Sequence, residues 1–162
     1  MSVPSEAELF FWNDPDDLLN ALYQVSREPV PELRDSVERL LEHDDPDIRE
    51  EALRILLTRW KDLSFRPQVI NVLQSDPAPN VKSAAAFGVA ATSTDENRAQ
   101  DSQLLLSVLR DEGEHLDVRA AAYDALMILH RKGVGEGGWP FTTKKSEFNP
   151  ARDVDWSWIR SL

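Results

Sequence analysis

Apolar residues recur at helical spacing in three segments of the chain. In the first segment Ile48, Ala52 and Leu56 lie four residues apart, and the same spacing recurs 33 residues later and again 37 residues after that. The later rows are Val81, Ala85 and Val89, and then Val118, Ala122 and Leu126. A row at i, i+4 and i+8 forms one face of an α-helix, and the small residue at its centre lets a neighbouring helix approach closely. The pattern therefore predicts three equivalent helices.

A second apolar segment precedes each row. These segments are Leu33–Leu41, Val69–Leu73 and Leu104–Leu109. The distance from the last leucine of each segment to the first residue of the next row is 7, 8 and 9 residues in turn, so only the connecting turn changes length. Each repeat is therefore predicted to be a pair of antiparallel helices, an A helix followed by a B helix. Stacked pairs bury one continuous core.

Each predicted B helix opens with an Asn or Asp, a β-branched residue and a cation. The three motifs are Asp47-Ile48-Arg49, Asn80-Val81-Lys82 and Asp117-Val118-Arg119. The Asn or Asp side chain is expected to cap its helix by accepting a backbone N–H. Pro46 suits the first turn, because its missing N–H costs nothing there.

These motifs resemble the HEAT-repeat family, including its bacterial HEAT-like members, over roughly residues 31–131. The resemblance implies an all-α fold, a right-handed α-α superhelix of about three helix pairs. It also implies that Arg49, Lys82 and Arg119 are structural, because the family's recurrent Asp and Arg positions form a ladder between neighbouring repeats. It implies no particular chemistry, since HEAT repeats serve as scaffolds in unrelated proteins.

The N-terminal end departs from the repeat. Asp14-Pro15-Asp16-Asp17 predicts the start of a further helix, which would serve as the cap that a helical solenoid needs. We expect Phe10-Phe11-Trp12 to staple this helix to the first repeat, and an aromatic cluster that binds a partner is the alternative. The solenoid is assigned to residues 1–132, with the cap in 1–30 and repeats near 31–61, 65–92 and 101–132.

The C-terminal end, residues 133–162, is predicted to be a glycine hinge followed by a tryptophan-rich tail. The last B helix is expected to stop near Arg131-Lys132, with Gly133 just past its end. A disordered tail rarely carries three tryptophans in so short a stretch, so we expect the tail to fold back on the solenoid. A free recognition segment for another protein is the alternative.

Composition narrows the functional classes. The chain has 162 residues, no cysteine and a formal net charge of −11. Disulfides, thiolate zinc sites and cysteine nucleophiles are thereby excluded, and the acidic balance argues against nucleic-acid binding. The apolar runs are too short to cross a membrane, and no signal peptide opens the chain. The expected location is the cytoplasm.

The residues that could bind a metal or act in catalysis are poorly placed for either role. Glu42-His43 and Glu114-His115 end the first and third A helices, and the related hydroxylase branch of HEAT proteins binds iron with His-Glu dyads in the opposite order. Neighbouring helices sit about 8–10 Å apart, which separates the two dyads by roughly 20 Å, whereas a metal holds its ligands at about 2 Å. No serine or threonine has a base and an orienting acid beside it, and His130 is interpreted as partly buried or capping. We expect no catalytic residue, no metal and no cofactor.

The B helices would line the concave groove of a HEAT-like solenoid, so residues opposite the buried rows are candidates for partner binding. The candidate residues are Asp44, Asp45, Glu50, Glu51, Arg54, Thr58, Phe87 and Asp124, and the groove would also include Ser83, Ala84, Ala91, Ala120, Ala121 and Ile128. Residues 1–62 carry a net charge of −9, which favours docking of a basic partner. A solvated helix end is the alternative interpretation of these acids. The apolar middle around Phe87 is either an interaction surface or is covered by Trp156 or Trp158 of the chain's own tail.

We therefore predict a non-catalytic protein-binding module, monomeric or weakly dimeric, with a basic protein as its partner. A bacterial immunity protein is one concrete candidate, because such proteins are often small, acidic, helical and free of cysteine. The alternative comes from a resemblance to the HEAT-like repeats of phycobilin lyases, which implies a groove that holds a tetrapyrrole. A visible absorbance band would distinguish the lyase from the binding module.

Overall fold

The computed structural model describes residues 14–27, 30–132 and 147–162, and every regular element in these ranges is helical. The helices are α1 Pro15–Val25, α2 Arg34–Arg39, α3 Pro46–Arg54, α4 Arg66–Ser75, α5 Pro79–Ala91, α6 Arg98–Arg110, α7 Leu116–Leu129, α8 Pro150–Asp153 and α9 Trp156–Ile159. The prediction of an all-helical fold is confirmed for this part of the chain. None of the helices described combines the length and apolar character needed to cross a membrane.

α1 and α3 each begin with an aspartate cap followed by proline, but the capping residues of the B helices differ from the prediction. Asp45 caps α3, and its Oδ1 accepts the backbone N–H of Asp47 at 2.8 Å. In α7 the capping atom is Nδ1 of His115, which accepts the N–H of Asp117 at 3.2 Å. The prediction that Asp47, Asn80 and Asp117 are the caps is therefore wrong, and in α5 the residue before the helix is Ala78, which offers no capping side chain. Asp47 and Asp117 lie inside the first turn, where the positive end of the helix dipole still stabilises an acidic side chain.

The helices pack as successive pairs. α2 packs on α3, α4 on α5 and α6 on α7, while α1, α3, α5 and α7 contact one another in that order. We call these four helices the inner row. Their closest approaches use small residues, since Ala52, Ala85 and Ala122 are fully buried and Ala21 takes the equivalent place in α1. Gly88 also allows close packing, because a Cβ atom at this position would lie only 2.5 Å from Cδ1 of Leu57.

The first helix pair is less regular than the later ones. α2 has only 6 residues and is flanked by 3₁₀ turns at Pro31–Leu33 and Leu40–Glu42. α3 has 9 residues and continues into a π-helical turn at Ile55–Arg59. In contrast, α5 and α6 have 13 residues each and α7 has 14. The first helix pair is therefore built from shorter helices than either later pair.

After α3 and after α7, a basic residue adopts the left-handed backbone conformation. Lys61 has φ 54° and Arg131 has φ 53°, a region that favours glycine. The prediction that Gly133 ends the last B helix is wrong, because α7 ends at Leu129 and the chain turns at Arg131. Gly133 itself lies outside the described residues, as do the rest of the predicted glycine hinge and the Phe10-Phe11-Trp12 staple.

The described part of the tail, residues 147–162, packs on α7. Phe148, Val154 and Ile159 are buried and belong to the same hydrophobic core as the inner row. The Trp158 ring lies edge-to-face against Tyr123, with the ring centres 6.1 Å apart. We refer to residues 147–162 as the C-terminal cap.

Candidate functional site

A ladder of ion pairs joins neighbouring repeats at the start of the B helices. Nε and Nη2 of Arg49 each donate to one carboxylate oxygen of Asp76, both at 2.9 Å, and Nζ of Lys82 lies 2.5 Å from Oε2 of Glu114. The structural role predicted for these two cations is confirmed. Arg119 behaves differently, because its Nε donates to the carbonyl of Leu109 within its own repeat at 2.9 Å.

A second ladder, which the sequence analysis missed, starts from the A helices. Arg34 and Arg66 are the first residues of α2 and α4. Nε of Arg34 donates to Asp62 at 2.8 Å, and its Nη2 donates to Ser64 at 2.9 Å. Arg66 forms an ion pair with the buried Asp101. The signal was present in the sequence as arginine at positions 34, 66 and 98, each opening an A helix.

An open cleft of about 430 Å³ lies between α1 and α3. It is lined by Leu19 and Tyr23 from α1, by Asp47, Glu50, Glu51 and Arg54 from α3, and by Arg59 from the turn that follows α3. Three predicted binding residues, Glu50, Glu51 and Arg54, therefore meet in one site. Tyr23, which sequence reasoning did not select, forms part of the opposite wall and is 53% exposed. Its position next to buried Leu22 in an amphipathic helix was the available signal.

Hydrogen bonds hold two of the cleft carboxylates in fixed positions. Oε1 of Glu50 accepts from Nε and Nη2 of Arg54, at 3.0 and 2.6 Å. Nδ2 of Asn80, on the next B helix, donates to Oε2 of Glu50 at 2.9 Å and to Oδ1 of Asp47 at 3.0 Å. The α3 wall of the cleft is thus braced by its neighbour in the inner row.

Glu51 is in a different situation from Glu50. Burial raises the pKa of the Glu51 carboxyl above its ordinary value, and this outweighs the opposing attraction of Arg54 and Arg59. No hydrogen bond or ion pair to Glu51 occurs among the residues whose structure is described. A partly desolvated carboxylate that lacks a hydrogen-bonding donor is costly to keep ionised, and a cation entering the cleft would relieve that cost.

The other predicted binding residues do not line this cleft. The Asp45 side chain is engaged in capping α3, and the adjacent Asp44 is exposed in the turn, where its carbonyl accepts from Nη1 of Arg49 at 3.0 Å. Phe87 and Asp124 are partly buried at the positions of α5 and α7 that correspond to Arg54 in α3. The side chain of Thr58 lies outside the described part of the chain.

Three residues that were predicted to be exposed on the B helices are buried instead. They are Ser83, Ala120 and Ala121. The reason is the close packing of the inner row, where small residues let adjacent helices cover each other's flanks. The rings that Trp158 contacts, Tyr123 and His130, both belong to the last repeat.

The residues considered for metal binding or catalysis have other contacts. Glu114 pairs with Lys82, and His115 caps α7. In the described ranges, no three His, Asp or Glu side chains are arranged to hold a metal ion. Oγ of Ser102 lies 2.7 Å from Nε2 of His130, but this serine is 5% exposed and donates its proton to the carbonyl of Arg98.

Comparison of the chain with known protein families, with curated protein sequences and with solved structures finds no match. A functional conclusion therefore depends on the geometry and electrostatics of the molecule itself. The cleft between α1 and α3 is the feature that unites predicted binding residues, an exposed aromatic ring and a carboxylate perturbed by burial.

Proposed function

We propose that this chain is a HEAT-like, right-handed α-α superhelix that binds a basic protein partner without catalysis. Two features support the superhelix. The inner row places equivalent helices side by side, each joined to its own A helix, and two ladders connect successive repeats through arginine or lysine and an acidic side chain. Rigid stacking of this kind presents residues from several helices on one surface.

The observation that carries the binding proposal is the state of Glu51 in the cleft. Its carboxyl is partly buried, its pKa is raised by that burial, and it is part of a segment with a net charge of −9. Perturbed titratable groups in a cleft mark candidate binding sites. Because none of the described residues donates a hydrogen bond to this acid, the chemistry that completes the site is a cation.

The walls of the cleft indicate how such a cation would be held. The exposed ring of Tyr23 offers a face for a lysine or arginine side chain, an attraction worth roughly 0.5–1 kcal/mol at exposed sites. Glu50 is already oriented by Arg54 and Asn80, so it loses little side-chain entropy when a partner binds. A toxin with a positively charged active site is one member of this partner class, which keeps the immunity function within the proposal.

The cleft is a poor match to a flat apolar ligand such as a tetrapyrrole. Five of its seven lining side chains carry a formal charge. Pockets for apolar cofactors are lined mainly by hydrophobic and aromatic side chains with few polar groups. We therefore advance no ligand-holding activity for this site.

The proposal predicts that partner capture depends on the cleft acids and not on net charge alone. The double variant Glu50→Lys with Glu51→Lys should lose basic proteins that the wild type captures from a lysate, and these proteins should leave the wild type when salt is raised. The measurement is quantitative mass spectrometry of the captured proteins at two salt concentrations.

The matched control is Glu96→Lys with Glu112→Lys, which changes the net charge equally at two exposed acids of the later repeats. It should capture the same basic proteins as the wild type. Equal losses in both double variants would show a non-specific charge effect, and an unchanged set of proteins with the cleft variant would remove the cleft from the interface. Either result contradicts the proposed function.

A further inference from the structure

His130 lies where the last repeat meets the C-terminal cap. It follows the final turn of α7, and its ring stands edge-to-face with Trp158, with the ring centres 6.1 Å apart. On its other side, Nε2 of His130 lies 2.7 Å from Oγ of Ser102 on α6. The same hydroxyl lies 2.9 Å from the carbonyl of Arg98, so it can donate to that carbonyl while it accepts from an Nε2–H of His130. A second proton would go to Nδ1.

The same region contains the polar contacts that hold the cap. Nζ of Lys132 lies 2.5 Å from Oδ2 of Asp155 and 4.3 Å from the centre of the Trp158 ring. The backbone N–H of Asp155 donates to Oη of Tyr123 at 3.1 Å. Trp158 thus contacts two aromatic rings and a cation, and one of those rings is the titratable His130.

We propose that the C-terminal cap is a pH-sensitive device, docked on α7 while His130 is neutral and loosened when His130 becomes protonated. Trp158 covers part of the His130 ring, so a charge on that ring loses hydration when the cap is docked. Releasing the cap restores that hydration and also uncovers Tyr123, which is 8% exposed in the docked state. Acidification would therefore expose a new aromatic surface on the last repeat.

The charged groups around His130 carry both signs. Arg98 is the first residue of α6, and its Nη2 lies 2.5 Å from Oδ1 of Asp95 in the turn before that helix. Arg131 and Lys132 follow His130 in the chain. The negative group in the cap is Asp155, which is engaged with Lys132. Burial, followed by the repulsion of Arg98, lowers the pKa of His130 below its ordinary value.

The sign of the pH effect follows from this lowered pKa. Undocking lets the pKa of His130 rise toward its ordinary value, so the undocked form binds protons more readily. Docking is at full strength above about pH 6.5 and weakens as the pH falls below it. Asp155 does not interfere in this range, because its hydrogen bond from Lys132 lowers the pKa of its carboxyl.

The test is amide hydrogen exchange by NMR on the full chain at about pH 7.5 and about pH 5.0, corrected for the intrinsic pH dependence of exchange. Protection of the buried cap residues Val154 and Ile159 should fall severalfold at the lower pH. His130→Gln retains a donor to Ser102 but does not titrate, so its cap protection should not change with pH. His43→Gln, the control at a histidine of the first repeat, should keep the wild-type response.

A second measurement on the wild type alone keeps the inference testable if His130→Gln does not dock its cap. The His130 ring and the Trp158 indole N–H should titrate with the same midpoint, below about pH 6.5. Cap protection that is equal at both pH values, or a pH response retained by His130→Gln, would overturn the proposal. A His130 midpoint above the ordinary value would also overturn it, because docking would then favour the cation.

Discussion

The two arginines of α3 form the same kind of ion pair in opposite environments. Arg49 pairs with Asp76 through two hydrogen bonds, and the two side chains are 11% and 9% exposed. Arg54 lies five residues after Arg49 in the same helix and pairs with Glu50. These two side chains are 54% and 21% exposed. The first pair joins two repeats, and the second lines a cleft. Burial, rather than residue type, thus separates a structural ion pair from one that a partner can reach.

Removing Arg49 should have the largest effect. Arg49→Ala leaves the Asp76 carboxylate buried without its cation, and breaking a buried pair in this way costs about 3 kcal/mol or more. Arg54→Ala, the matched change on the exposed face, should cost at most about 1 kcal/mol. Urea unfolding of both variants measures the difference. Equal losses would show that burial does not distinguish the two pairs.

The pair between Arg34 and Asp62 should fall between these extremes, since its side chains are 38% and 25% exposed. Burial of Asp62 opposes ionisation, but hydrogen bonds from Ser64 and Arg34 outweigh it and keep the pKa of this carboxyl below its ordinary value. The ion pair therefore stabilises the fold above about pH 4, and this stabilisation is lost as the pH falls further.

Asp62→Asn should accordingly lower the melting temperature at neutral pH by less than Arg49→Ala does and by more than Arg54→Ala does. The difference between Asp62→Asn and the wild type should shrink in acid. A loss as large at acidic pH as at neutral pH would show that the Asp62 charge is not what stabilises the fold.

Removing the charge of Glu51 should have the smallest effect on stability, and it should stabilise the fold rather than destabilise it. Because the pKa of Glu51 is raised in the folded protein, ionisation at neutral pH works against folding, and that penalty disappears as the pH falls through the raised pKa. Glu51→Gln should therefore raise the melting temperature slightly at neutral pH and leave it unchanged in acid. Destabilisation by this variant at neutral pH would mean that the carboxylate has a structural role.

The spacing of apolar residues was sufficient to predict α3, α5 and α7 of the inner row, because a small residue recurs where these helices approach each other closely. It predicted Ala52, Ala85 and Ala122 but not Ala21, since α1 lacks the β-branched residue and cation of the other helices. It could not place the cap of α3, because Asp45 and Asp47 both suit a helix start and only the backbone geometry selects Asp45.

The candidate site was harder to predict than the fold. Glu50, Glu51 and Arg54 share one face of a helix, which spacing can show, but their meeting with Tyr23 depends on how α1 packs against α3. The predicted exposure of Ala120 and Ala121 failed for the same reason, because small residues on a helix surface attract a neighbouring helix that the sequence does not identify. Burial of individual faces is a tertiary property.

The most direct test of the binding account uses an arginine-rich probe, a peptide of alternating glycine and arginine, with NMR detection at low salt. In the wild type, shifts should concentrate on Leu19, Tyr23 and Glu51, and Glu51→Gln should abolish them without unfolding the chain. Shifts spread evenly over the acidic surface, or an unchanged response in Glu51→Gln, would contradict the claim that the cleft recognises a cationic side chain.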